Sequence, residues 1–185
     1  MQSDWQRIIA WVQTNAANLL DFLEPPAGRA DLAETETRLS MRLPTALRTF
    51  YGLQNGTAAF GVFPALEEEQ SAFGPLPLDE IEFLELDDDG RDAEEGFDVD
   101  AGVRPEFWNP DWIPFAAASD RGDYLMLDMA PAPGGRIGQV IEWRHDTNER
   151  RLVAPSLEAL LRQTADGLEA GRFVYDGEAG VKRAE

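Results

Sequence analysis

The sequence predicts an α+β fold, a single domain in which helices pack around a mainly antiparallel, twisted sheet. Three observations predict it. Apolar residues recur at spacings of three and four through the first third, short apolar runs broken by Gly, Pro and Asp follow residue 57, and a helical stripe returns between 157 and 168. The 185 residues lie within the single-domain range, where folding buries roughly 70% of the unfolded surface. There is no internal repeat, so one domain is expected over 1–171, with 172–185 a C-terminal tail on which Phe173 and Tyr175 dock.

Trp5, Ile8, Ile9, Val12, Ala16, Leu19, Leu20 and Leu23 form the stripe of a first helix, which Ser3 and Gln6 can cap and Pro25-Pro26 ends. Asp31 is the expected N-cap of a second helix that turns Leu32, Leu39 and Met41 inward. Pro44 suits the first turn of a third, with Leu47, Phe50 and Tyr51 inward and Asn55-Gly56 as its left-handed exit. A run at 59–63 opens the strand region. Strands are then expected at Trp112–Phe115, Tyr124–Met129, Gln139–Trp143 and Arg151–Ala154, joined as antiparallel hairpins by turn-forming clusters. Ser156 caps a last helix carrying Leu157, Leu160, Leu161 and Leu168 as far as Gly171.

Composition removes several function classes. Without cysteine there are no disulfides, zinc-thiolate sites, iron–sulfur clusters or thiol nucleophiles, which suits a reducing cytoplasm. The N-terminus lacks the basic and apolar regions of a leader, and no run approaches the ~18 apolar residues of a membrane span. A net charge of −19 repels nucleic acid and anionic lipid, which leaves a basic protein as the electrostatically favoured partner.

That charge is concentrated. Residues 67–100 hold fifteen acids and one base, or −14 of the total. Few apolar residues follow Leu86, so 87–102 reads as an acidic surface insertion. Its Asp87, Asp88, Asp89, Asp92, Glu94, Glu95, Asp98 and Asp100 are the candidate partner-binding residues, the alternative being a solvated loop that only adds solubility. Asp87, Asp89 and Gly90 fit part of a calcium-loop pattern, but Glu85 and Gly96 occupy its first and last ligand positions and paired flanking helices are missing.

No catalytic group stands out. The sole histidine, His145, sits in a polar turn beside Asp146, which reads as solvated and leaves no metal site built mainly on histidine. Gly134-Gly135-Arg136-Ile137-Gly138 resembles a phosphate loop but precedes a strand, so it reads as a hairpin connection. Arg121-Gly122-Asp123 spells an integrin-binding tripeptide, yet Gly122 reads as a turn former. Asp123 and Asp128 bracket an apolar strand and could serve as a carboxylate pair, although a turn-capping bond for Asp123 and an outward or strand-end position for Asp128 weigh more.

The ordered set Leu43-Pro44, Leu47, Phe50-Tyr51, Asn55-Gly56, Trp112-Ile113-Pro114, Gly122-Asp123 through Asp128 and Gly138-Gln139-Val140 resembles the SUKH superfamily, the Smi/Knr group. Leu32, Glu36 and Leu39 match its first helix, and Arg104 with Trp108 its lead-in to the Trp-Ile-Pro strand; the likeness covers about 30–165, and the insertion near 87–100 departs from it. The resemblance implies an α+β domain without enzymatic activity, cofactor or metal, whose motif positions Leu43, Pro44, Asn55, Gly56, Trp112, Pro114, Gly122, Asp123, Asp128 and Gly138 mainly build the fold. Bacterial members are often immunity proteins that block a cognate toxin, commonly a nuclease, and fungal relatives are scaffolds of cell-wall assembly. Together with the acidic charge this gives a leading expectation of an immunity protein that neutralises a basic toxin. The alternatives are a regulatory scaffold and, behind it, a carboxylate-dependent hydrolase.

Overall fold

The computed structural model describes residues 1–57, 61–66, 71–81, 96–119, 122–177 and 180–184. Helices α1 (Gln2–Asn15), α2 (Arg29–Arg38) and α3 (Thr45–Tyr51) precede strands β1 (Gly74–Pro75), β2 (Asp98–Val99), β3 (Trp112–Ala117), β4 (Tyr124–Asp128), β5 (Gln139–Trp143) and β6 (Glu149–Ala154). Helix α4 (Leu157–Glu169) and a hairpin of β7 (Phe173–Tyr175) and β8 (Val181–Arg183) complete the chain, and 3₁₀ turns lie at Ala17–Phe22 and Leu78–Glu80. The main sheet has the order β1-β3-β4-β5-β6-β2, antiparallel throughout except for the parallel pair β2–β6. This is the expected α+β architecture. None of the described helices is long and apolar enough to cross a membrane.

The sheet is covered on both sides, which is why its strands read as apolar runs rather than as alternation. Every residue of β3 and β5 is buried. On one face Ile113, Phe115, Leu125, Leu127, Val140 and Ala154 meet Ile8 and Val12 of α1, Leu47 and Phe50 of α3, and Leu157 and Leu161 of α4. On the other, Trp112, Met126, Ile141 and Trp143 are roofed by Val99, Val103, Phe107 and Trp108 from the segment that leads into β3. Pro114, which cannot donate to the ladder, stands where β3 shifts register against β4.

Helix ends depart from the sequence reading. Met1 is the N-cap of α1 and neither Ser3 nor Gln6 caps it; instead Asp4 in the first turn lies 3.3 Å from the terminal amine. The α-helix stops at Asn15 rather than at Leu23. Thr14 Oγ1 and Asn15 Nδ2 donate back to the Ala10 and Trp11 carbonyls, and after Ala16 the chain tightens into a 3₁₀ turn that still buries Leu19. Helix α2 is capped by Gly28, not Asp31. Asp31 lies three residues inside, where its Oδ2 accepts the Gly28 N–H at 2.7 Å. Pro44 is the N-cap of α3 rather than part of its first turn.

The expected insertion at 87–102 is shorter where it is described. Asp98–Val99 forms β2 and Val103 is buried, so 98–103 belongs to the folded sheet. The expected tail contains the β7–β8 hairpin. Phe173 lies against α4 at Gly167, where an added Cβ would stand 2.1 Å from its ring, and the Val181 N–H donates to Gly61 O at 3.0 Å. Ser156 Oγ accepts the Ala159 N–H at 3.2 Å, the expected cap of α4.

Two measurements check this packing. Leu125 and Leu127 are each 1% exposed, so Leu125→Ala and Leu127→Ala should each cost about 2–5 kcal/mol in denaturant unfolding. Gly56 has φ +82°, and a Cβ there would lie 2.5 Å from Pro77 N, so Gly56→Val should cost at least about 2 kcal/mol. Unchanged midpoints would contradict the packing.

Candidate functional site

The first wall of the site comes from helix periodicity. Asp31, Glu34, Thr35 and Arg38 of α2 recur at spacings of three and four, so they share one face. Opposite stands the 3₁₀ turn Leu78–Glu80 with Pro77 before it, and Glu24 and Asn55 close the ends. Together they line a cleft of about 480 Å³.

Four local interactions hold the walls. Arg38 donates from Nη1 to Ile81 O and from Nη2 to Leu78 O, both at 2.6 Å, tying α2 to the turn. Asn55 Oδ1 accepts the Leu78 N–H at 3.1 Å. Gly56 lets the chain pass against Leu76 and Pro77. Behind α2, Glu36 accepts the Leu43 N–H at 3.0 Å and pairs with Arg48, whose guanidinium holds the Glu36 carboxyl below the usual carboxylate range.

The electrostatics are one-sided. Glu24, Asp31, Glu34, Asp79 and Glu80 line the cleft with one cation, Arg38, which gives two of its five N–H donors to main-chain carbonyls. Among the described residues, no cation pairs with the side chains of Glu24, Glu34 or Asp79. Such a concave acidic surface suits an ammonium or guanidinium group of a partner.

The sequence-predicted residues are placed as follows. Asp87, Asp88, Asp89, Asp92, Glu94 and Glu95 lie outside the described residues. Asp98 and Asp100 are engaged within the fold. Arg151 pairs with Asp98 and holds its carboxyl below the usual range, and Asp100 Oδ2 accepts the Leu152 N–H at 2.8 Å. Leu43 is buried below α3, and Gly138 has φ +82° and donates its N–H to Asp128 O at 2.7 Å. Gly122 lies against the His145 ring, and Asp123 Oδ1 accepts the His145 N–H at 3.2 Å, the expected turn-capping bond.

Asp128 is not outward. It is fully buried and accepts from Trp112 Nε1 at 3.1 Å, Ala130 N at 3.0 Å and Gln139 Nε2 at 2.8 Å, so it locks β3, β4 and β5 together. Burial pushes its carboxyl above the usual range, against the pull of these three donors. Asp123 lies just before β4 and Asp128 at its end, five residue steps or roughly 17 Å apart, which is too far for a carboxylate pair on one bond.

Sequence reasoning missed the cleft. Its only local signal was the polar stripe on α2, since the remaining lining comes from Glu24, Asn55 and 77–80, outside that helix. These features define an α+β domain with a sheet covered on both faces and an open acidic cleft beside its second helix. A model of the SMI1 / KNR4 family (SUKH-1) matches residues 26–163, and the chain belongs to that family. It is 23% identical over 94% of its length to a glucan synthesis regulatory protein of Neurospora crassa, and 27% identical over 95% to the cell wall biosynthesis/cell cycle regulator smi1 of Schizosaccharomyces pombe. A cell wall assembly regulator, SMI1 of Saccharomyces cerevisiae, is 31% identical over 38% of the chain. The chain spans 39% and 38% of the length of the first two.

Asn55→Ala should cost about 1–3 kcal/mol by orphaning the Leu78 N–H, whereas Glu34→Gln with Asp79→Asn should leave stability within about 0.5 kcal/mol. For Asp128 the folded pKa lies above the unfolded one, so its contribution is complete below the ordinary carboxylate range and is lost as pH rises through the folded value. The stability of the wild type relative to Asp128→Asn should therefore fall between pH ~4 and neutrality in urea unfolding. A gap that grew with pH would contradict the raised pKa.

Proposed function

We propose that the chain is a regulatory protein-binding domain with no reaction of its own, acting in the cytoplasm on a basic partner. The family match over 26–163, with relatives named as regulators of glucan synthesis and of the cell wall, carries this reading. It favours the scaffold alternative over toxin immunity, since the relatives are fungal and none is named for a toxin. Charge supports the choice of partner. The cleft offers carboxylates that the fold leaves uncompensated, and the chain leaves Glu80 directly for the acid-rich stretch that follows. A surface of this sign accelerates encounter with a cation-rich protein and rejects nucleic acid and anionic membrane.

The test is recovery of the partner on the purified chain, then association kinetics with the purified pair at low and high salt. Neutralising Asp87, Asp88, Asp89, Glu94 and Glu95 to Asn or Gln should slow association about 10-fold or more at low salt and flatten its salt dependence. The melting temperature should stay equal or rise slightly. A partner whose toxicity the chain abolishes would replace this reading with immunity, and salt-independent association would remove the basic partner.

A further inference from the structure

We propose that Asp123, His145 and Asp146 form a binding site for a divalent transition-metal ion of the Zn²⁺ type. The three come from two chain segments. Asp123 enters β4, while His145 and Asp146 lie in the β5–β6 turn, and the antiparallel pairing of Tyr124 with Trp143 brings the segments together. Each residue offers one ligand atom, and the three atoms lie within 4.8 Å of one another. Asp123 Oδ1 and His145 Nδ1 are hydrogen-bonded at 3.0 Å, so an ion entering between them would displace the shared proton and draw on two ligand atoms already side by side.

The arrangement is formed before any ion arrives. Asp123 Oδ1 also accepts the His145 backbone N–H, which fixes the turn against the strand, and the imidazole lies over Gly122, where a Cβ would stand 2.6 Å from its Cε1. The other carboxylate oxygen, Oδ2, faces Arg144 Nε at 4.0 Å, so the guanidinium occupies a different edge from the one the ion would use. Asp146 is exposed, and its ligand atom lies within 4.8 Å of the other two. One imidazole nitrogen with two carboxylate oxygens suits Zn²⁺ and its first-row neighbours, while Ca²⁺ prefers an all-oxygen shell. Water completes the coordination, and the bound ion ties the start of β4 to the β5–β6 turn. This site is independent of the acidic cleft and of the partner reading.

The whole chain is titrated with Zn²⁺ alone, using calorimetry, thermal melting and the NMR signals of its single histidine. Wild type should bind one ion with displacement of the histidine signals, and at 100-fold excess over Kd its melting temperature should rise by about 5 °C or more. Asp146→Asn should keep the metal-free melting temperature and lose about 10-fold or more in affinity, and His145→Gln should abolish the shift. Ca²⁺ should leave the histidine signals in place. Unchanged Zn²⁺ affinity in both variants would overturn the site. So would loss of binding on neutralising Asp87, Asp88, Asp89, Glu94 and Glu95, which would assign the ion to the acidic segment.

Discussion

A single buried cation organises the half of the molecule away from the helices. Arg150 of β6 has no exposed surface, and its guanidinium lies 5.3 Å from the ring centres of both Phe107 and Trp143 and 5.9 Å from that of Phe97. It donates to the carbonyls of Arg144, Thr147 and Glu149 in the β5–β6 turn and to Phe107 in the segment roofing the sheet. Burying a charge is costly, and the cost shows as a pKa lowered to about 10 by desolvation. Four carbonyls and three aromatic faces offset it, a combination that a planar guanidinium can satisfy and a lysine ammonium cannot. With this residue in place, Trp112, Met126, Ile141 and Trp143 have a roof and β2 has a partner strand.

The helical half depends on smaller devices that converge on one place. Arg38, Asn55 and Gly56 each act on the backbone of 76–81, whose Leu76, Leu78 and Ile81 side chains are buried in the core, so polar contacts to the main chain and apolar packing together set the cleft wall. Of the carboxylates on its rim, Asp31 caps α2, while Glu24, Glu34 and Asp79 pair with no cation among the described residues. Changing Glu24, Glu34 or Asp79 therefore alters the charge of the cleft without removing a contact that holds its wall.

How much of this was legible follows from how local each signal is. Strands β3 to β5 were readable because burial on both faces writes an apolar run, and α4 because Ser156 and a leucine stripe lie within one segment. The caps of α1 and α2 were not, since a backbone at Gly28 and a chain terminus at Met1 do the capping that Asp31 and Ser3 were expected to do. Arg150 was invisible for another reason. A charged residue in a strand reads as outward, and only the aromatic rings of Phe97 and Phe107, more than forty positions away, make its burial affordable. For Asp128 the structure chooses the strand-end contact of the two readings over the outward one, and its burial was not legible because Trp112 and Gln139 supply its donors from neighbouring strands. The cleft unites positions from 24 to 80 that no window of sequence joins.

The count of 35 acidic residues therefore overstates the charge left uncompensated on the surface. Asp98 is bound to Arg151, Asp100 to the β6 backbone, Glu36 to Arg48, and Asp166 and Glu169 to Arg7. These acids fasten strands and helices, and their fields close within the molecule on the cations beside them. Glu24, Glu34 and Asp79 lack such cations among the described residues, and their fields extend into solvent. Steering depends on the uncompensated part of a charge distribution rather than on its sum. By that criterion Glu24 and Glu34 of the cleft, which lie outside the acid-rich stretch 67–100, outrank Asp98 and Asp100 within it.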